Sequence, residues 1–455
     1  MRYLGIALVI LSLPAFIAIL NGQPSARKWA YAAIGILPFT INAINLDAAL
    51  ISWAGWPGYA KGIVVTLLDT LALAVILTAR RPLRRLPFLG LFIAYTLAVS
   101  VTVMWLGSPM SSSFYAFQLV RCLIVFVAVA TVVGRPGGIR WIAFGLAAGA
   151  IFQGLTTIEQ RFGGAFQAAG TMGHQNLLGL MLHFVTLPLL AILLGGERSR
   201  IVKIGLGASL LAVALGASRG AIGFSVIGIA LLVLLSLARR PTPQKWRIIG
   251  LSAILMLVVT PVVVGGLEQR FASGKVEGSD EERVAFERAA KMMLADHPMG
   301  IGANQYVVVS NTGGYARRAG VTLAYANLSS NVHNIYLLVA SETGWLGLFT
   351  FVALFSWPIV QGLRFAFADR RDPRGETVLG ATVALVVVAA HGLYEWIFVT
   401  YQAQYVFAIG CGLIAGCMRE RALEKRIARR TLLASDPAGG HRARLGVAGP
   451  APAED

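Results

Sequence analysis

Long runs of uncharged, apolar residues constrain this chain more than any other feature of its sequence. Residues 4–20, 220–238 and 248–266 carry no charged side chain, and each run reaches the roughly 17–25 residues that an α-helix needs to cross a bilayer. Only 13% of all residues are charged, about half of the ~25% usual in soluble domains. Because a surface in contact with water needs that charge, the sequence predicts an integral membrane protein of the all-α class.

Thirteen apolar segments are candidate membrane spans. They lie near 4–21, 29–46, 62–79, 87–106, 114–133, 139–158, 175–195, 201–217, 220–238, 246–266, 344–366, 377–396 and 401–418. Thirteen spans with a cytoplasmic C-terminus would leave the N-terminus outside, so either that arrangement holds or one weak segment does not span. Pro14, Pro38, Asn42 and Asn45 interrupt the first three segments. We therefore predict a polytopic protein with about 12 transmembrane helices.

The connections between these segments alternate between rich and poor in Lys and Arg. The rich connections are 80–85, 135–140, 198–203, 239–247, 364–374 and the C-terminal run 419–430, whereas 107–113 has no basic residue and 159–174 has only Arg161. By the positive-inside rule the rich set lies in the cytoplasm. The polar segment 267–332, His174 and Arg219 then lie on the periplasmic side of a bacterial inner membrane. The net charge of +18 is therefore explained by membrane topology. We predict that nucleic acid is not a partner.

The predicted topology divides the chain into four regions. These are N-terminal transmembrane helices (1–266), one large, partly helical periplasmic loop (267–332), C-terminal transmembrane helices (333–418), and a basic, largely disordered cytoplasmic tail (419–455). The basic run of the tail is expected to contact anionic membrane lipids. The sequence has no P-loop for ATP-driven transport, no acidic pair of the DxD type for a divalent metal, and no cysteine in the large loop. We predict no metal and no other cofactor.

The large loop carries seven acidic and seven basic residues between 267 and 332, which suits a structured, water-exposed element. Ser279-Asp280-Glu281-Glu282 reads as a capping box, so we predict a helix from about Asp280 to Asp296. His297 and Pro298 should end that helix, because proline disfavours helical backbone in the residue before it. Gly300 and Gly302 should then form a turn.

His333 is the candidate general base. Asn331 is a suitable N-cap, which would put His333 in the first turn of the next helix, where the helix dipole favours a neutral imidazole. A neutral histidine at a membrane surface can accept a proton; the alternative is that His333 only caps its helix. Other ionisable residues are also predicted at or near membrane depth, where they are either functional sites or structural pairs: Asp69, Arg121, His183, His391 and Glu395.

Four arginines are candidate ligands of a phosphate group: Arg219, Arg283, Arg288 and Arg161. Arg219 separates two apolar runs so closely that it must lie in a short turn near the membrane face. Without a metal, a phosphate-bearing leaving group needs arginine, whose planar guanidinium binds phosphate oxygens in bidentate fashion. These residues suit a lipid-pyrophosphate donor, with His333 taking a proton from an acceptor hydroxyl.

Several short motifs resemble the bacterial O-antigen ligase family, whose relatives include O-antigen polymerases and protein O-oligosaccharyltransferases. The motifs are Gly170-Thr171-Met172-Gly173-His174-Gln175-Asn176, Ser218-Arg219-Gly220, Arg283, His297-Pro298-Met299-Gly300-Ile301-Gly302 and His333-Asn334. Their order and their position before the last spans carry the resemblance, which covers about 150–420. Glu287 departs from the tryptophan common in relatives.

This resemblance implies transfer of a glycan from undecaprenyl pyrophosphate to an acceptor hydroxyl, with inversion at the anomeric carbon and without metal or ATP. In the ligases the acceptor is the lipid A–core of lipopolysaccharide. His174, Asn176 and Asn334 are expected to contact substrate. The chain length and the absence of an extra C-terminal domain favour a ligase, with a polymerase as the next alternative. A lipid-linked sugar transporter or flippase is the alternative from another class, although two related halves are not evident.

Overall fold

A computed structural model describes residues 2–44, 47–79, 85–105, 107–272 and 277–435. It is 77% helical and 3% strand, which confirms an all-α, polytopic membrane protein. Among the described residues, seven helices are long and apolar enough to cross a membrane, and two shorter apolar helices lie at Leu67–Leu77 and Leu89–Met104. The total of 12 spans stays a prediction.

Seventeen α-helices are described in these ranges, with two single-turn 3-10 helices at Pro24–Ala26 and Ile397–Val399. The α-helices are α1 (Arg2–Gly22), α2 (Arg27–Thr40), α3 (Leu67–Leu77), α4 (Leu89–Trp105), α5 (Pro109–Val133), α6 (Gly138–Phe162), α7 (Gln175–Leu194), α8 (Arg200–Gly216), α9 (Arg219–Arg239), α10 (Pro243–Ala272), α11 (Glu277–Asp296), α12 (Tyr306–Thr312), α13 (Tyr315–Ala319), α14 (Tyr325–Leu328), α15 (Ile335–Ala368), α16 (Arg374–His391) and α17 (Tyr401–Ser435). Gly344 kinks α15 with φ +65°. The predicted disordered tail falls largely on 436–455, outside the described residues.

A β-hairpin replaces the start of one predicted membrane span. Strands β1 (Asp47–Ser52) and β2 (Gly62–Thr66) pair antiparallel, and β2 occupies the first residues of the apolar segment 62–79, which was predicted to be helical. Residues 62–66 are rich in β-branched side chains, which favour strands. Thr66 then caps α3 in a reciprocal capping box with Asp69, so the helix begins at Leu67 and has only 11 residues.

Helix α7 lies at the centre of the bundle. Its span is 94% buried inside the protein, against 11% for the span in α1. It packs on α8, α9 and α16, and the approach to α16 is close: a β-carbon added at Gly380 would lie 2.5 Å from that of Ala191. Small residues of this kind let membrane helices pack closely. The two ends of α7, at Gln175 and Leu194, therefore lie on opposite faces of the protein. The connections that join α7 to the neighbouring helices lie on these two faces.

Buried ion pairs join helices at several levels. Asp69 of α3 accepts from Arg121 of α5 at 2.8 Å, so these embedded residues form a structural pair. Near the other end, Glu376 accepts from Arg239 at 2.9 Å and from Lys245 at 2.8 Å. All five side chains are almost fully buried. Removing one partner of such a pair leaves an uncompensated charge, which costs about 3–5 kcal/mol.

The sidedness of the chain gives a first testable prediction. The α8 start at Arg200 and the α16 start at Arg374 belong to the face with the basic connections, whereas α11–α14 belong to the opposite face. Thr312→Cys, at the exposed last residue of α12, should react with a membrane-impermeant maleimide in spheroplasts, and Arg198→Cys should not. Background labelling should be low, because Cys122, Cys411 and Cys417 are buried. The reverse labelling pattern would contradict a periplasmic site.

Candidate active site

Helix α11 carries Arg283 toward the rest of the protein. It ends at Asp296, directly before His297 and Pro298, as the sequence predicts. Arg283 and Phe286 lie about one turn apart and therefore share a face, and the Phe286 ring lies 6.2 Å from the His333 ring. Glu287 lies one turn after Arg283 on the same side of the helix, and it pairs with Lys291 at 3.5 Å.

The segment that carries His333 differs from the prediction. Asn334, not Asn331, is the N-cap of α15: its side-chain oxygen accepts from the backbone N–H groups of Tyr336 and Leu337 at 3.1 and 3.2 Å. His333 therefore precedes the cap and does not lie in the first turn. Asn331 is instead buried, and its Oδ1 atom has no hydrogen-bond partner within the described ranges.

Backbone contacts hold the start of α15 against the end of α16. The N–H of Ile335 donates to the carbonyl of Gly392 at 2.8 Å, and the Tyr336 hydroxyl donates to the carbonyl of Ala389 at 2.8 Å. Gly392 permits this approach, since an added β-carbon would lie 2.7 Å from Ile335. The contact brings His333 beside the 392–396 connection, which carries Glu395.

Glu395 is the centre of a polar cluster formed by four separate parts of the chain. Its Oε2 lies 3.4 Å from Nδ1 of His333, and its Oε1 lies 3.6 Å from Nη2 of Arg283 and accepts from the Asn176 side-chain amide. The Glu395 side chain is 4% exposed, whereas His333 and Arg283 are 24% and 33% exposed. The carboxylate thus lies beneath a histidine and an arginine that remain accessible. We name this the Glu395 cluster: Asn176, Arg283, His333 and Glu395.

Two opposing effects set the protonation state of Glu395. Burial raises the pKa of its carboxyl group, but the hydrogen bond and charge of His333, together with the charges of Arg283 and His391, bring the pKa below the ordinary value. The carboxyl group is therefore ionised at neutral pH. An ionised carboxylate at this position can accept a hydrogen bond from the Nδ1–H of His333. The Nε2 atom of the ring is then directed away from the carboxylate.

His174 and Asn176 lie at the start of α7. The His174 ring caps this helix by accepting from the Asn176 N–H at 3.2 Å, and burial lowers the pKa of His174 despite the opposing charge of Glu395. The preceding loop is fixed by α6, since the Gln160 side chain bonds the backbone of Ala169 and Gly170. His174 thus helps to place Asn176, which contacts Glu395.

Arg219 begins α9 directly after a tight turn, as predicted. Ala217 adopts a left-handed conformation (φ +46°) and Ser218 caps the helix through the N–H of Ala221. The next residue, Gly220, lies against His391, whose Nε2 would be 3.2 Å from an added β-carbon. His391 lies four residues before Glu395, so the α9 start and the Glu395 cluster share one face of the protein. His391 is itself buried in a hydrogen-bonded pair with His183 at 3.3 Å.

Arg161 and Arg288 contact backbone carbonyl groups. Arg161 donates to Ala165 and Phe166 at 3.1 and 2.7 Å, and Arg288 donates to Ala319 at 3.0 Å. Both contacts hold loops on the face of the Glu395 cluster. The assignment of these two arginines to a pyrophosphate stays a prediction, as does that of Asn334. Among the described residues, no group of three or more His, Cys, Asp or Glu side chains has the arrangement of a metal site.

Comparison with known proteins bears directly on this region. Residues 204–352 match the family model of the O-antigen ligases. This region, about a third of the chain, is therefore similar to the O-antigen ligases. The match covers Arg219, Arg283 and His333, and it confirms the family resemblance inferred from short motifs. A comparison with curated proteins gave no match.

Glu395 lies beyond the matched region, and its central place was not predicted. The sequence marks it only as one of several ionisable residues at membrane depth, in Tyr394-Glu395-Trp396. Its partners lie 62, 112 and 219 positions away along the chain. No local pattern reports such contacts. One signal was available: burying an ionised carboxylate in apolar surroundings costs free energy unless the carboxylate has a partner. Glu395 was therefore expected to have one.

Proposed function

We propose that the protein transfers an O-antigen glycan from undecaprenyl pyrophosphate to a hydroxyl group of lipid A–core, at the periplasmic face of the inner membrane. The match of residues 204–352 to the O-antigen ligase family model supports a membrane glycosyltransferase of the ligase or polymerase type. The observation that carries the proposal is the Glu395 cluster, in which a histidine is oriented by a buried carboxylate and lies beside an accessible arginine.

In the proposed reaction the acceptor hydroxyl gives its proton to Nε2 of His333. The acceptor oxygen forms a bond to the anomeric carbon from the side opposite the leaving group, which inverts that centre. The bond from the anomeric carbon to the pyrophosphate oxygen breaks, and undecaprenyl pyrophosphate leaves with the electron pair. Glu395 stabilises the imidazolium that forms, as a buried carboxylate does in other histidine-based sites.

The arginines act on the leaving group. Charge develops on the pyrophosphate as the bond breaks, and guanidinium groups positioned beforehand stabilise that charge. Arg283 lies within 3.6 Å of Glu395 with a third of its side chain exposed, so it can contact both the carboxylate and a bound phosphate. Arg219, on the same face, is the second proposed phosphate ligand.

A reconstituted assay tests the proposal and predicts cofactor independence. Purified protein in proteoliposomes should transfer glycan from the lipid-pyrophosphate donor to lipid A–core without ATP and in EDTA, with release of undecaprenyl pyrophosphate. Activity that EDTA removes and Mg²⁺ or Mn²⁺ restores would contradict the proposed role of arginine. Movement of the donor across the bilayer without release of undecaprenyl pyrophosphate would favour a flippase. Elongation of one lipid-linked glycan by another would favour a polymerase.

A further inference from the structure

Two buried histidines and a serine form a hydrogen-bonded network that the proposed reaction does not use. The Oγ atom of Ser225, in α9, lies 3.3 Å from Nδ1 of His183, in α7. The Nε2 atom of His183 lies 3.3 Å from Nδ1 of His391, the last residue of α16. All three residues are at least 95% buried. We name them the histidine network, which begins at Ser225 and ends at the Nε2 atom of His391.

The serine hydroxyl fixes the direction of the hydrogen bonds in the histidine network. Hydroxyl groups inside helices often donate to the carbonyl four residues earlier, as Thr96 and Ser100 do in α4. Among the described residues, the Ser225 hydroxyl has only His183 as a partner. Because a buried hydroxyl proton needs an acceptor, Ser225 donates to Nδ1 of His183. A neutral imidazole carries one proton, so His183 donates from Nε2 to Nδ1 of His391, and His391 carries its own proton on Nε2.

The Nε2 atom of His391 faces the start of α9. A β-carbon added to Gly220 would lie 3.2 Å from Nε2 and 3.7 Å from the adjacent Cδ2 atom. In the described ranges, Asn331 Oδ1 is the one fully enclosed side-chain polar atom that lacks a partner. Nε2 of His391 has no hydrogen-bond partner in these ranges either, so it must reach accessible space. A ring that is otherwise buried therefore presents one open N–H donor.

The start of α9 presents further donors beside this N–H group. The N–H groups in the first turn of a helix have no acceptor within that helix. Ser218 accepts from the N–H of Ala221, and no described residue accepts from the N–H of Gly220. Arg219, a proposed phosphate ligand, is the first residue of the same turn. Open N–H groups and the positive end of the helix dipole favour a bound anion here.

His391 also connects the start of α9 with the Glu395 cluster. The Phe224 ring, in the second turn of α9, lies 4.9 Å from the His391 ring. The carbonyl of His391 accepts from the N–H of Tyr394 at 3.0 Å, and this bond forms the turn directly before Glu395. The open donor therefore lies on the face that carries both proposed parts of the reaction site.

We propose that His391 donates from Nε2 to a pyrophosphate oxygen of the lipid-linked donor, beside Arg219. His183 and Ser225 are positioning residues, which hold the His391 ring in the tautomer with the proton on Nε2. This inference rests on the proposed function, because it adds a ligand to the same leaving group. It assigns an uncharged hydrogen-bond donor to a pyrophosphate that otherwise meets only arginines.

Two substitutions of His391 separate the phosphate contact from the internal contact. In His391→Gln the terminal amide replaces Nε2 and still donates to phosphate, whereas in His391→Asn the shorter amide replaces Nδ1 and contacts only His183. Native mass spectrometry of the full-length protein measures binding of undecaprenyl pyrophosphate. His391→Asn should weaken that binding about tenfold or more, the factor expected for a hydrogen bond to a charged group. His391→Gln should bind close to wild type.

Gly220→Ala tests the same atom without changing the histidine network. The added methyl group would lie 3.2 Å from Nε2 of His391 and would obstruct an approaching phosphate. Gly220→Ala should therefore weaken the binding of undecaprenyl pyrophosphate by a factor similar to that of His391→Asn. The matched control is Gly223→Ala, in the next turn of α9, where an added β-carbon meets nothing within 4 Å. Binding by the control should be unchanged.

The tautomer of His391 is measured independently of binding. Nitrogen NMR of the protein with ¹⁵N-labelled histidine should show the His391 proton on Nε2, with the His391→Gln spectrum identifying which signals belong to this ring. A proton on Nδ1 would overturn the proposal, because Nε2 could then only accept a hydrogen bond and would repel a phosphate oxygen.

Other results would also overturn the proposal. Wild-type affinity in His391→Asn, or no binding of undecaprenyl pyrophosphate by the wild-type protein, would exclude the contact. Equal losses in His391→Asn and His391→Gln would show a packing role, and equal losses in Gly220→Ala and Gly223→Ala would show a general effect on α9. The expected binding pattern without transfer to lipid A–core would contradict only the proposed function. Transfer by the wild type with undiminished binding by His391→Asn would contradict only this inference.

Discussion

His333→Ala should lower glycan transfer by about 10²–10⁴-fold, the contribution typical of a positioned general base, while leaving donor binding largely intact. The reason is that His333 accepts the acceptor proton, whereas the arginines that hold the pyrophosphate remain. His333 contacts Glu395 through one long bond of 3.4 Å and is partly exposed, so its removal should not unfold the protein. Single-turnover rates and binding of the lipid-pyrophosphate donor, measured on the same preparation, separate the two effects.

Glu395→Gln provides a second measure of the same arrangement. The side-chain oxygen of glutamine can still accept from Asn176, but its amide group then faces Nδ1 of His333 and favours the tautomer with the proton on Nε2. That tautomer cannot accept a proton from the acceptor hydroxyl; the analogous exchange in the Ser-His-Asp triad costs about 10⁴-fold. We expect a loss approaching that of His333→Ala, again with donor binding retained.

The control for both variants is His297→Ala. His297 is exposed and follows directly after α11, where it reads as part of the helix end, so its loss should affect stability more than turnover. Near wild-type transfer by His333→Ala would show that this histidine only precedes the cap of α15. The proton acceptor would then have to be sought elsewhere, with Glu395 as the first candidate.

The spanning helices could be predicted because their signal is local. An uncharged run at 220–238 became α9, Arg219–Arg239, and the predicted stop at His297 and Pro298 is where α11 ends. The β-hairpin was missed because Gly62–Thr66 is as apolar as a membrane helix. In so short a run, periodicity cannot separate strand from helix, and the decisive signal was the Thr66 and Asp69 capping pair.

The site was predicted in its parts but not in its arrangement. Arg283 and His333 were named as candidates from residue type and side of the membrane, and Asn176 from the family resemblance. The prediction of Asn331 as the cap was wrong, because Asn334, an equally good cap by residue type, holds that position. The bond from Ile335 to Gly392 fixes where α15 begins, and that bond joins two helices that are distant in sequence.

Arg219→Ala and Arg283→Ala should each weaken donor binding and lower transfer, because both guanidinium groups are proposed to hold the pyrophosphate. A hydrogen bond to a charged group contributes about 1.5–3 kcal/mol, so each substitution should reduce kcat/KM by at least about tenfold and the double variant should have no measurable transfer. Arg→Lys should restore little activity at either position, since a point charge cannot reproduce the bidentate guanidinium.

The contacts of Arg283 separate its two roles. Arg283 lies 3.6 Å from Glu395, so Arg283→Ala removes a positive neighbour of the carboxylate as well as a proposed phosphate ligand. Arg283→Lys keeps the positive charge but loses the planar, bidentate guanidinium group. If Arg283→Lys regains donor affinity and turnover together, its charge alone is what matters, and bidentate recognition is excluded. Arg317→Ala is the matched control: this arginine is exposed on α13, on the same face, and it should leave both quantities unchanged. A similar loss in Arg317→Ala would show that the arginines attract the donor only through the general positive charge of the loop.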